Sequence, residues 1–209
     1  MYSLPRVLES CFLPAMLKLP PGPFEAFIFD VDGTIADTMP LHFEAWTHAL
    51  GKWSEFFPED VFYSLGGTKT DRVAEIVRER AQADFSVDEI VHQKEAYFMH
   101  HLGEAVPIQP VMKVINEWRG KIPMGVASGG FRHVVAEILS GLGLDSDFAV
   151  RICAEDVVHG KPDPEPFLKA AAVLGVDPQR CLVFEDSPTG IAAAKAAGMQ
   201  WIEITRETR

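Results

Sequence analysis

The sequence predicts an α/β fold, in which a Rossmann-like, mostly parallel sheet is covered by helices and interrupted by a helical insertion. Short apolar segments alternate with helical patterns, which is typical of a parallel sheet. At 40–105, however, helical periodicity continues without a clear strand. Acidic or hydroxyl side chains also follow several apolar segments, at the edge where parallel sheets bind ligands.

The apolar segments that predict strands are short and bounded by turn residues. They lie at 24–30, 122–128, 148–154, 181–186 and 200–205. Helical patterns lie at 131–142, 164–174 and 188–197, and within the insertion at 41–50, 70–81 and 87–101. The strand pattern resumes only after Val106. We therefore expect an insertion between the first two core strands rather than extra helices of the main domain.

The composition is that of an ordinary globular protein, and it does not exclude a small anionic substrate. The chain has 209 residues, of which 47% are hydrophobic, and a net charge of −11. Surfaces that bind nucleic acids or anionic membranes need a basic face, so neither partner is expected. Three cysteines without metal-type spacing fit a reducing, cytoplasmic location. We expect a monomer or a weak homo-oligomer.

Residues 1–23 are expected to form an N-terminal extension. Their apolar side chains suggest a signal peptide, but Arg6, Glu9, Lys18 and four prolines interrupt the apolar run. No stretch of the chain approaches the ~20 apolar residues that a membrane span needs. We therefore expect this extension to pack on the domain.

The segment 27–34 places two aspartates at the end of an apolar strand. Asp30 and Asp32 lie two residues apart and are followed by Gly33. Close carboxylates repel each other and are costly to bury, so folds that place them there neutralise them with a cation or use them in chemistry. An ordinary strand-ending turn is the alternative, because Asp and Gly are common turn residues.

Two further motifs suit an anionic ligand. Ser128, Gly129 and Gly130 end one predicted strand and open a helix, where a hydroxyl and free backbone N–H groups can bind an anion. A serine that caps the helix is the alternative. Lys161 lies in a segment with two prolines and, considered alone, would be a surface lysine.

Glu185 and Asp186 repeat the acidic strand end. If the strand ends converge, Asp30, Asp32, Glu185 and Asp186 place four carboxylates in one pocket, which is unfavourable without a cation. Mg²⁺ prefers oxygen ligands with room for water and a phosphate. A calcium loop is excluded, because Gly33 does not stand at the sixth position that such a loop requires.

In this combination and order, the motifs resemble those of the haloacid dehalogenase superfamily of phosphotransferases. The resemblance implies a Rossmann-like core at 24–39 and 106–209, and a small helical cap domain at 40–105. It also implies an enzyme of the phosphohydrolase class that uses Mg²⁺ and binds a small phosphorylated substrate.

The resemblance further implies a role for each motif residue. Asp30 would attack phosphorus and become an aspartyl phosphate, and Asp32 would protonate the leaving group and then deprotonate water. Ser128 and Lys161 would bind the transferring phosphoryl oxygens. The metal ligands would be Asp30, the backbone carbonyl of Asp32, Asp186 and, directly or through water, Glu185.

Within the superfamily, the sequence resembles the β-phosphoglucomutase-like branch, which includes sugar-phosphate phosphatases such as fructose-1-phosphatase. Asp37, Thr38 and His42 match that branch, and Thr38 and His42 are candidate substrate-binding residues. His42 could contact the leaving group or hold Asp32, while a polar helix residue at the cap hinge is the alternative. Trp46 is expected to pack within the cap.

The loop of the cap domain at 64–72 helps to distinguish a phosphatase from a mutase. A mutase must bind a second phosphate, and mutases of this branch use a lysine and an arginine around this loop. Glycine and threonine occupy the aligned positions here, and Lys69 and Arg72 are shifted. Gly67, Lys69 and Arg72 are nevertheless candidate substrate-binding residues.

We therefore expect hydrolysis of a sugar phosphate such as fructose 1-phosphate. The alternative is a β-phosphoglucomutase that binds the distal phosphate with Lys69 or Arg72. A non-catalytic sugar-phosphate-binding protein is disfavoured because Asp30 and Asp32 are both present. Dehalogenation is disfavoured as well, because dehalogenases of this fold need neither the second aspartate nor the acidic metal pair.

Overall fold

The computed structural model describes residues 17–66 and 68–208, and its main sheet is parallel. The strands of this sheet are β1 (Ala26–Phe29), β4 (Met124–Ala127), β5 (Val150–Ile152), β6 (Cys181–Glu185) and β7 (Gln200–Glu203). Two short strands, β2 (Ala36–Asp37) and β3 (Val106–Pro107), form a separate antiparallel pair. The main sheet has the order β5-β4-β1-β6-β7, with parallel pairing throughout. The predicted α/β class is confirmed.

Helices follow the strands of the sheet and fill the insertion. They are α1 (Met39–Leu50), α2 (Glu59–Ser64), α3 (Thr70–Ala81), α4 (Val87–His101), α5 (Gln109–Trp118), α6 (Arg132–Gly141), α7 (Glu165–Leu174) and α8 (Pro188–Ala196). The sequence patterns did not predict α2, α5 or the short strands β2 and β3. Within the described ranges, every helix is too short or too polar to cross a membrane.

The central strands β1, β4 and β6 are buried on both faces of the sheet. Phe27 and Phe29 point to one side, where the rings of Phe29 and Phe184 stack at 4.4 Å. Ile28 and Val183 point to the other side, toward α7 and α8. Burial of both faces explains why these strands are continuous apolar segments rather than alternating ones.

The helices of the insertion have an apolar core of their own. Trp46, Phe57 and Phe62 belong to a cluster that is separate from the two clusters on the sheet, and Trp46 meets the edge of Phe57 at 5.6 Å. From this separate core we propose a cap domain at 40–105 and a main domain at 24–39 and 106–209. Of the predicted N-terminal extension, residues 1–16 lie outside the described ranges, while Leu17 and Leu19 pack on the main core.

Candidate active site

The strand order brings the predicted motifs together. β1 lies between β4 and β6, and Phe29 at its end pairs with Val126 and Phe184. Because the three strands are parallel, the residues that follow them emerge at the same edge of the sheet. Asp30, Ser128 and Glu185 consequently line one pocket.

Lys161 reaches this edge from the loop before α7. Its Nζ donates to Oδ1 of Asp30 at 2.7 Å and to Oε2 of Glu185 at 2.6 Å. The side chain of Lys161 is only 5% exposed, and that of Glu185 is 1% exposed. The alternative of a surface lysine is therefore wrong, because the ammonium is buried between two carboxylates.

Glu185 is held by the beginning of α8. Its Oε1 accepts hydrogen bonds from the backbone N–H of Ser187 at 3.0 Å and from the Ser187 hydroxyl at 2.8 Å. At Gly190, a Cβ atom would lie 2.0 Å from Cδ of Glu185. Only glycine fits there, so the first turn of α8 and Lys161 together fix the carboxylate.

Burial and charge act in opposite directions on the ionisation of this cluster. Burial, followed by the negative charge of Glu185, raises the pKa of Asp30 well above its ordinary value, although Lys161 opposes the shift. Burial alone would lower the pKa of Lys161, but the charges of Asp30 and Glu185 raise it instead. The lysine is therefore cationic, and one ammonium compensates two buried carboxylates.

Asp32 lies beside this cluster and has different partners. The chain turns at Gly33, whose φ of 82° is in the left-handed region that favours glycine. Oδ1 of Asp32 accepts a hydrogen bond from the Thr38 hydroxyl at 2.7 Å and lies 3.4 Å from Nε2 of His42. The His42 ring stacks on Phe98 with a centroid distance of 3.9 Å.

These contacts set the ionisation of Asp32 and His42. Burial would raise the pKa of Asp32, but the hydrogen bonds and charge from His42 and Thr38 outweigh it and lower the pKa. Burial, followed by the charge of Lys94, lowers the pKa of His42. Asp32 is therefore ionised and His42 neutral at neutral pH, so that Nε2–H of His42 can donate to the carboxylate.

Three carboxylates converge where a cation could bind. Ligand oxygens of Asp30, Glu185 and Asp186 all lie within 4.8 Å of one another. The carboxylate of Asp32 is not part of this group and is bonded to Thr38 instead. An all-oxygen, partly buried donor set fits a hard divalent cation such as Mg²⁺.

The predicted anion site lines the same pocket as this carboxylate group. Ser128 is buried, and its Oγ accepts a hydrogen bond from the backbone N–H of Gly130 at 3.0 Å. Gly129 and Gly130 line the same pocket just before α6. The Ser128 hydroxyl, the backbone of Gly129 and the Lys161 ammonium thus line one pocket, which suits a phosphate.

Only some of the other candidate substrate-binding residues line the pocket. Lys69 and His42 line the pocket, which has a volume of about 210 Å³. Thr38 is fully buried and its hydroxyl is bonded to Asp32, so the prediction of a substrate contact is wrong and Thr38 instead holds Asp32. Arg72 does not line the pocket, and its exposed guanidinium pairs with two glutamates of its own helix. Gly67 lies outside the described residues.

Sequence reasoning missed two pocket residues on α4, namely Lys94 and Glu95. The sequence pattern predicted only a helix at 87–101 and gave neither residue a role, yet Lys94 is only 3% exposed. Its spacing contained a signal, because Ile90 and Phe98 lie four residues before and after it and are buried. Residues at this spacing share one face of a helix.

Comparisons with known proteins agree with this site. The family model of haloacid dehalogenase-like hydrolases matches residues 24–198. The fructose-1-phosphate phosphatase YqaB of Escherichia coli is 36% identical over 181 residues, covering 87% of this chain and 96% of the relative. A β-phosphoglucomutase of Bacillus subtilis is 30% identical, covering 84% of this chain and 80% of the relative.

Solved structures lead to the same family. A β-phosphoglucomutase from Clostridium difficile matches with a TM-score of 0.73 and 27% identity, covering 86% of this chain and 84% of the other. Both its fold and its sequence are therefore similar to the chain described above. This chain belongs to the haloacid dehalogenase-like hydrolases, and it is a phosphohydrolase of the β-phosphoglucomutase-like branch.

Proposed function

We propose that this enzyme hydrolyses a small phosphomonoester, such as the sugar phosphate fructose 1-phosphate, through an aspartyl phosphate on Asp30. The observation that carries the proposal is the buried contact between Asp30 and Lys161, beside Ser128 and Asp32. A nucleophile, a cation for the phosphoryl oxygens and a proton-transfer group are the parts that this reaction needs. The similarity to a fructose-1-phosphate phosphatase supports the choice of substrate.

In the first half-reaction, a carboxylate oxygen of Asp30 bonds to phosphorus while the bond from phosphorus to the leaving oxygen breaks. Asp32 gives its proton to that oxygen, so the sugar leaves as a neutral alcohol. In the second half-reaction, Asp32 takes a proton from water as the water attacks phosphorus. The bond between phosphorus and Asp30 then breaks, which restores the carboxylate and releases inorganic phosphate.

The contacts of Asp32 suit both of its proposed roles. In the free enzyme its pKa is lowered, so the carboxylate is ionised, as the second half-reaction requires. A phosphate dianion bound nearby raises the pKa of a carboxyl by like-charge repulsion. Substrate binding thus favours the protonated form that the first half-reaction needs, and Thr38 and His42 keep the group oriented in both states.

The carboxylates of Asp30, Glu185 and Asp186 would hold Mg²⁺. When bound, the ion would supply positive charge that offsets the repulsion between the nucleophile and an anionic phosphate. The chain itself adds Lys161, while the Ser128 hydroxyl and the N–H of Gly129 orient the phosphoryl oxygens. Lys161 also offsets part of the negative charge of Asp30 and Glu185.

The proposed function is tested by steady-state phosphate release from a panel of sugar monophosphates. We expect release with Mg²⁺, its loss with EDTA, and fructose 1-phosphate among the preferred substrates. Arg72→Ala should release phosphate like the wild-type enzyme, because Arg72 lies outside the pocket. Phosphate release that persists in EDTA, or no release from any phosphomonoester, would refute the proposal.

Lys69 favours one alternative function. It lines the pocket on the cap side, where a second phosphate of a sugar bisphosphate could bind. The similarity to the B. subtilis β-phosphoglucomutase supports this possibility. The assay should therefore include β-glucose 1-phosphate with glucose 1,6-bisphosphate. Glucose 6-phosphate formed without phosphate release would establish the mutase instead.

A further inference from the structure

The cap-side wall of the pocket contains a charged pair that the proposed mechanism does not use. Nζ of Lys94 donates to Oε1 of the adjacent Glu95 at 3.0 Å. Lys94 also lies 5.0 Å from the ring centroid of Phe98, and its side chain is 4% exposed. Its positive charge is therefore compensated within the wall, so Lys94 is not a free anchor for an anion.

Glu95 keeps one carboxylate oxygen available to a ligand. Thr70 and Lys94 both direct their hydrogen atoms to Oε1, the Thr70 hydroxyl from 3.5 Å. Among residues 17–66 and 68–208, none donates to Oε2. The side chain of Glu95 lines the pocket and is 26% exposed. A carboxylate oxygen in such a position is a strong acceptor that a donor on the ligand can satisfy.

The surroundings of Glu95 determine which ligand group suits it. Trp46, Phe62 and Val73 line the same pocket and carry no charge, and Lys69 lines it as well. The phosphate-binding groups lie on the core side of the pocket, so the cap side receives the rest of the substrate. A hydroxyl can donate to Oε2, whereas the oxygens of a second phosphate are themselves acceptors and would face that acceptor oxygen without a hydrogen atom between them.

We propose that Glu95 is a specificity-determining residue for the proposed phosphatase reaction, on which this inference rests. Its Oε2 accepts a hydrogen bond from a hydroxyl of the leaving group, and the same oxygen disfavours a second phosphate, which has no hydrogen atom to donate in its dianionic form. The substrate class is therefore the monophosphate of an uncharged, polyhydroxylated compound. Bisphosphates of the same compounds are poor substrates.

The test compares kcat/KM for fructose 1-phosphate, fructose 1,6-bisphosphate and p-nitrophenyl phosphate, each with Mg²⁺. Glu95→Gln removes the charge and keeps the shape. Glu95→Asp keeps the negative charge beside Lys94, but its shorter side chain moves the acceptor oxygen away from the ligand. This variant also tests the proposal if Glu95→Gln folds poorly. Glu89→Gln is the matched control, because Glu89 is exposed on the same helix and bonds to Gln93 rather than to the pocket.

The wild-type enzyme is expected to favour fructose 1-phosphate over the bisphosphate. Glu95→Gln should lower kcat/KM for fructose 1-phosphate by roughly 10-fold to 100-fold, as expected for a lost charged hydrogen bond, and should weaken discrimination against the bisphosphate. Glu95→Asp should lose activity on fructose 1-phosphate and still reject the bisphosphate. Hydrolysis of p-nitrophenyl phosphate, whose leaving group has no second hydroxyl, should stay within about twofold in all variants.

Two results would overturn the inference while leaving the proposed function intact. One is a wild-type enzyme that hydrolyses p-nitrophenyl phosphate but does not prefer the monophosphate of fructose. The other is a Glu95→Gln variant in which all three substrates fall equally, because Glu95 would then act through the fold or the proton-transfer groups. No phosphate release from any compound would instead refute the proposed function itself.

Discussion

Replacing Lys161 with methionine should destabilise the protein because Lys161 is the cation between two buried carboxylates. The side chain of Asp30 is 9% exposed and that of Glu185 is 1% exposed, and the ammonium bonds to both. Removing one partner of a buried ion pair typically costs about 3–5 kcal/mol. In a chain of this length, each kcal/mol shifts Tm by roughly 2–4 °C. The expected fall in Tm is therefore about 6–20 °C.

The loss of stability caused by Lys161→Met, called the deficit below, should depend on pH and on bound metal. The pKa of Asp30 is already raised in the folded state, and loss of Lys161 raises it further. At acid pH the folded state can bind a proton on Asp30, so the deficit shrinks; it grows as pH rises through that raised pKa. Mg²⁺ bound to the same carboxylates should also reduce the deficit, because it replaces part of the missing charge.

The assay is thermal unfolding of Lys161→Met and wild-type protein at several pH values, with EDTA and with Mg²⁺. Lys169→Met is the matched control, because Lys169 is 47% exposed and pairs with Glu165 on the surface of α7. The Lys169→Met substitution should change the free energy of unfolding by less than about 1 kcal/mol. A Lys161→Met protein that melts with the control in EDTA at neutral pH would refute the argument.

Three further predictions follow from the site and its surroundings. Asp32→Asn should lower kcat by ~10²–10⁴-fold, the usual share of acid–base catalysis, and still bind phosphate in calorimetry; an unchanged kcat would remove Asp32 from proton transfer. Arg72→Ala should leave kcat/KM within about twofold, and a much larger loss would place Arg72 at the substrate. Burial raises the pKa of the Cys153 and Cys181 thiols to about 11. A Cys11→Ser variant should thus react with a thiol reagent near about pH 8 only after unfolding, and fast reaction of the native protein would contradict this.

The centre of the sheet was predictable because its strands β1, β4 and β6 are buried on both faces and stand out as apolar segments. The predicted strand at 24–30 contains the observed Ala26–Phe29, but it is longer, because Phe24 is apolar without pairing in the sheet. The helices Thr70–Ala81 and Val87–His101 were predicted to the residue. The helix Gln109–Trp118 was missed, because apolar residues just before it blur the start of its helical pattern.

The convergence of Asp30, Ser128 and Glu185 could be predicted because parallel strands end at one edge of a sheet. The position of Lys161 could not be derived in this way, since the path of a loop depends on tertiary contacts and only a family resemblance indicated it. Glu95 was missed for a similar reason. Its sequence neighbours suggest an exposed helix, and only the packing of α4 against the pocket shows otherwise.

The most direct test of the central claim is to look for a phosphoryl group on Asp30. Enzyme in excess would be mixed with fructose 1-phosphate and Mg²⁺, quenched with acid within milliseconds to seconds, digested and analysed by mass spectrometry. We predict that the peptide containing Asp30 transiently gains the mass of one phosphoryl group, and that Asp30→Asn abolishes both this adduct and turnover. Turnover that persists in Asp30→Asn, or a phosphoryl group on another residue, would contradict the account.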